Sequence, residues 1–89
     1  QMCIRDRYIA LSDDISITEI RLPESVKGVT VQALNLRQRY GLNIIAVKHG
    51  DEVTTDITPA FQLYSHDVIA VVGRHDQVNC FEKFLRTYR

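Results

Sequence analysis

Apolar positions along this chain change their period several times, and each change marks an element. Ile15, Ile17 and Ile20 stand among β-favouring residues and predict a strand over Ile15–Arg21. Leu22, Pro23 and Glu24 end it, because proline cannot donate to a ladder. Gly28 marks a turn, and Thr30 is placed to cap a helical segment over Val31–Leu34. Asn35, followed three residues later by Gln38, repeats the spacing of a cap. The helix is therefore expected to break near Asn35 into two short segments, with Gly41 as the left-handed stop.

Ile44, Ile45, Ala46 and Val47 are consecutive and apolar, so Asn43–His49 reads as a second strand buried on both faces. Gly50 and Asp51 turn the chain into residues 52–56 and make a hairpin. Thr58 and Pro59 punctuate a loop, and one helical turn is expected over residues 60–63. Residues 68–72 form the last strand, closed by Gly73. Asp76 brings the right charge to the start of a final helix. Val78, Phe81, Leu85 and Tyr88 repeat at helical spacing and predict the face that packs on the sheet. The resulting order is β-α-β-β-β-α, an α+β fold with helices on one face.

Residues 1–7 (QMCIRDR) carry neither period and resemble adaptor read-through, not natural coding sequence. Residues 8–14 read as a linker from a missing N-terminal domain, which leaves residues 15–89 as the domain proper. Eighty-nine residues allow one modest core, so support from a partner or a second copy is expected. Lys and Arg total 11 and Asp and Glu total 11, giving zero net charge, which argues against non-specific nucleic-acid binding. No apolar run approaches the ~18 residues of a membrane span. No secretory signal is visible, and the chain reads as cytoplasmic.

Catalytic and metal chemistry find little support. Cys3 and Cys80 match no redox or metal spacing, and Cys80 is expected on the apolar side of the last helix. His49, His66 and His75 are dispersed, so no zinc set is expected. Ser65, His66 and Asp67 have the residue types of a triad, but consecutive side chains project in different directions. No GxGxxG or Walker pattern is present. Arg37 and Arg39 allow two readings. They are solvated arginines on a helix face, or Arg37 offers its planar fork to a phosphate while Asn43 adds amide donors. Val31 and Pro59 would then supply a flat apolar wall for a purine.

Several runs together resemble the TrkA-C domain, also called the C-terminal RCK domain, of potassium channel and transporter regulators. They are Ile17 to Ile20; Leu34, Asn35, Leu36 and Arg37; and Arg39, Tyr40 and Gly41. The pattern continues through Asn43 to Lys48, Pro59, and Asp67 to Gly73. The likeness is greatest to the gating subunits of Ktr potassium uptake systems. It implies a dimeric domain that binds cyclic di-AMP across its two-fold interface, with no cofactor of its own. It also implies a preceding RCK N-terminal domain that binds ATP or ADP, and a membrane channel subunit as partner. Carried over by position, it puts Val31, Ile44 and Pro59 against adenine. Arg37, Asn43 and the Ile44 backbone fall near ribose and phosphate, with His49 a further contact. Two alternatives stay open: a domain of another cation transporter sensing a different ligand, and a dimerisation module with no ligand.

Overall fold

The computed structural model describes residues 5–88, with side chains from residue 8 onward. Seven strands and three helical segments follow one another along it. They are β1 (Arg5–Ala10), β2 (Ile15–Arg21), β3 (Lys27–Thr30), α1 (Val31–Leu34), α2 (Leu36–Tyr40), β4 (Asn43–His49), β5 (Glu52–Thr54), β6 (Gln62–Tyr64), β7 (Val68–Arg74) and α3 (His75–Thr87). The main sheet is antiparallel throughout, in the order β1-β2-β7-β4-β5, and β3 pairs with β6 in a separate two-stranded sheet.

The α+β class and the helices on one face are as expected; the strand list is longer. Residues 8–10, expected in a linker, belong to β1, which hairpins back on β2 with Ile9 opposite Ile17. The Ser12 hydroxyl closes that hairpin by accepting from the Asp14 and Ile15 amides. Cys3 and the rest of residues 1–4 lie outside the described residues. The helical turn expected at residues 60–63 is instead the entry to β6, because Leu63 and Gln62 find backbone partners in Val29 and Thr30. Such pairing depends on contacts far apart in sequence, which a local apolar pattern does not report.

One face of the main sheet is covered. Ile20, Ile69, Val71 and Val47 point there and are buried against Val78, Phe81 and Leu85 of α3 and Leu36 of α2. Phe81 is fully buried, its ring 5.4 Å from that of Tyr40. The other face is bare. Ile17, Glu19, Val68, Ala70, Val72 and Ala46 are only half-buried, and Arg21 and Lys48 are exposed. The expectation of a β4 buried on both faces is therefore corrected: Ile45 is 41% exposed, at a register shift between Ile44 and Ala46. Two-sided burial belongs to sheets with helices on both faces, which this one lacks. Cys80 is corrected as well, since it is exposed. It lies two residues from both Val78 and Glu82, on the side of α3 away from the sheet.

Candidate functional site

Two junctions between short elements bring together most of the residues singled out from the sequence. The first is the start of α1. Thr30 has extended backbone, and its hydroxyl accepts from the Ala33 amide at 3.1 Å. The next orphan amides are met by a loop from the other half of the chain. Val31 N–H donates to the Phe61 carbonyl and Gln32 N–H to the Pro59 carbonyl, each at 2.9 Å. Val31 and Pro59, 28 positions apart by number, thereby become neighbours. Val31 is half-buried against the core, and Pro59 is exposed.

The second junction is the turn from α2 into β4. Leu36 and Leu42 are buried, and Gly41, at φ 72°, carries the chain back on itself. Its amide donates to the Arg37 carbonyl, and the Leu42 amide to the Leu36 carbonyl. This reversal returns Asn43 beside Arg37, whose Nε donates to Asn43 Oδ1 at 2.9 Å. Arginine has only donors, so the Asn43 amide must turn its oxygen inward and leave its NH2 facing outward. Both side chains are exposed, and the Arg37 Nη groups make no hydrogen bond to the described residues. The result is a set of outward N–H donors fixed at one end, suited to two oxygens of an oxyanion such as phosphate. Ile44 follows directly, half-buried against the core.

His49 is placed otherwise. It lies six residues beyond Asn43, roughly 20 Å along the strand by the usual rise. Its Nδ1 hydrogen-bonds Asp67 Oδ1, while Asp67 Oδ2 accepts from the Tyr64 amide at 2.9 Å. Asp67 is 2% exposed, so His49 serves a buried carboxylate that needs partners. Within the chain the geometry gathers Arg37 with Asn43 and Val31 with Pro59, and holds His49 apart from Arg37. The triad types at residues 65–67 are likewise separated by role: the Ser65 hydroxyl reaches the Glu24 and Val26 carbonyls, and His66 is exposed.

Sequence reasoning missed the Asp67 carboxylate as a buried anchor; the one signal available was a lone acid before an apolar strand. It also missed a basin of about 690 Å³ on the bare sheet face, lined by residues such as Arg21, Lys48 and His66 and by none of the six site residues. The signal for it was the polar alternation of β2, which puts Glu19 and Arg21 on the same side. No group of three or more potential metal ligands occurs among the described residues, and no helix there is long and apolar enough to cross a membrane.

Comparison with known proteins adds the following. A family model, the TrkA-C domain, matches residues 17–86. The Ktr system potassium uptake protein C of Bacillus subtilis (strain 168) is 33% identical over 76 residues, 85% of this chain and 34% of that protein. The Ktr system potassium uptake protein A of the same organism is 29% identical over 75 residues, 84% of this chain and 34% of that protein. The chain thus spans about a third of the length of the curated relatives it matches. Among solved structures it is similar to the RCK C domain of the potassium transport protein KtrA in complex with cyclic diadenosine monophosphate. The TM-score is 0.74 at 36% identity, covering 82% of this chain and 86% of that one. The RCK_C domain dimer of S. agalactiae BusR in complex with c-di-AMP shares the fold, with a TM-score of 0.71 at 22% identity over 79% of this chain and 95% of that one.

Proposed function

Because this chain belongs to the TrkA-C domain family, we propose that it is the regulatory domain of a Ktr-type gating subunit, a homodimer that binds cyclic di-AMP at its seam and so controls potassium uptake. The Arg37–Asn43 pair carries this reading: a fixed cluster of outward donors in an otherwise neutral protein. Arg37 and Asn43, with the Ile44 backbone, hold ribose and phosphate. Val31, Ile44 and Pro59 form the apolar wall for adenine, and His49 is a peripheral contact. The KtrA domain, with cyclic di-AMP bound and similar to this chain over most of both lengths, supports the choice of ligand.

Symmetry supports it as well. A ligand with its own two-fold axis suits an isologous interface, where each subunit presents the same half-site. One arginine per half-site meets each phosphate without a basic surface. Binding that favours one dimer geometry shifts the population toward it, and a coupling of ~1–3 kcal/mol changes that population ratio about 5- to 150-fold. The domain works without catalysis and without a cofactor. In the whole protein it acts in the cytoplasm beneath a membrane channel subunit, behind an RCK N-terminal domain that binds ATP or ADP.

The test is Arg37→Ala. Each bound ligand loses two charge-assisted contacts, one per half-site, at about 1.5–3 kcal/mol each, so affinity for cyclic di-AMP falls by about 100-fold or more while sedimentation shows the same dimer. Unchanged affinity removes Arg37 from the site. No thermal stabilisation of the unaltered protein by any nucleotide in large excess would favour a dimerisation module without ligand.

A further inference from the structure

Three basic side chains from three separate elements surround one valine on the bare face of the sheet. Val68 of β7 pairs with Arg21 of β2 on one side and with Lys48 of β4 on the other. Adjacent strands lie about 4.8 Å apart, so the Arg21 and Lys48 backbones are roughly 10 Å apart, within reach of two long side chains closing over a single group. His66, in left-handed backbone at φ 67° in the turn before β7, completes the ring. One row along the strands the character changes. Ala70 pairs with Ala46 there, and these small side chains floor the basin of about 690 Å³, with Glu19 at its rim.

We propose that this basin is a second ligand site, taking a small amphipathic anion with its charged head between Arg21, Lys48 and His66 and its flat apolar body over Ala46 and Ala70. The volume lies within the range of small-molecule sites. The basic end recognises an anionic head, and the two alanines leave room for a ring that larger side chains would fill. Lys48 and Asn43 are five residues apart on β4, roughly 17 Å by the strand rise, and His49, next to Lys48, turns to the opposite side and bonds Asp67, so the site is separate from the one proposed above.

A fluorescent probe with this chemistry, 8-anilinonaphthalene-1-sulfonate, tests the assignment, with the uncharged N-phenyl-1-naphthylamine as its control. The purified chain is expected to bind the sulfonate saturably and the uncharged analogue at least tenfold more weakly. Lys48→Glu, which reverses charge at an exposed position, and Ala70→Leu, which fills the floor, should each weaken sulfonate binding about tenfold or more, with circular dichroism unchanged. Saturating cyclic di-AMP and Arg37→Ala should leave probe binding as it was. Equal binding of the two probes, or undiminished binding by Lys48→Glu in folded protein, overturns the proposal. Displacement by cyclic di-AMP also overturns it, while leaving the nucleotide reading intact. Loss of nucleotide binding with the probe still bound would do the reverse.

Discussion

Asn35 sits at φ 53° and ψ 47° between α1 and α2, a left-handed conformation that costs most L-residues about 1–2 kcal/mol. Its side chain caps no amide; it donates to Gln38 Oε1 at 3.3 Å. The expected break at this residue is present, yet its cause is backbone tolerance and not the side-chain cap that the spacing suggested. Asn35→Gly should therefore leave the melting temperature nearly unchanged, whereas Asn35→Ala should lower stability by about 1 kcal/mol in denaturant unfolding. Equal effects of the two substitutions would show that the side-chain contact matters more. Among the candidate site residues, Arg37 and Asn43 were legible together because Gly41 fixes how the chain returns. His49 lies beside Asp67, 18 positions away, and no local pattern carries that contact.

Helix α3 shows how an element is held at both ends of its function, covering the sheet and starting at a defined point. The Gln77 side chain accepts from the Arg74 amide at 2.8 Å, and the Asp76 carboxylate meets the Arg74 guanidinium at 2.9 Å. The Arg74 hydrogen bond holds the Asp76 carboxyl below its ordinary value of 3.8. A carboxyl lowered in the folded state adds stability above its unfolded value and loses it as pH falls through the folded one. Asp76→Asn should therefore be slightly less stable than the parent at pH 7, with the difference vanishing in acid below the ordinary carboxylate range. Paired thermal melts across that range would read it, and a pH-independent difference would contradict it. Strand β7 enters this helix through Gly73, where an added Cβ would stand 2.3 Å from Leu42 Cδ2. Gly73→Ala should destabilise by about 1–3 kcal/mol through overpacking, measured by denaturant unfolding. The periods of β2, β7 and α3 were readable because each has one buried face. Strands β3 and β6 were not: each has only three or four residues, and their pairing needs the loop at residues 58–61 already docked on α1. Cys80 could have been placed correctly, since the spacing of Val78, Phe81 and Leu85 already puts it on the opposite side.

At the scale of the molecule, a sheet covered on one face and bare on the other leaves both a small core and a broad exposed surface. A chain of this size gains little margin from such a core. The neutral total charge removes long-range repulsion between copies of the chain. The family was legible from runs scattered along the whole domain, while the bare face and its basin were not, because they arise from register among β2, β7, β4 and β5. The central claim is that two chains clasp one cyclic dinucleotide about a shared axis. Calorimetric titration of cyclic di-AMP into the purified chain tests it most directly. One ligand bound per two chains is the predicted stoichiometry. Saturation at one ligand per chain, or no heat of binding at all, would contradict it.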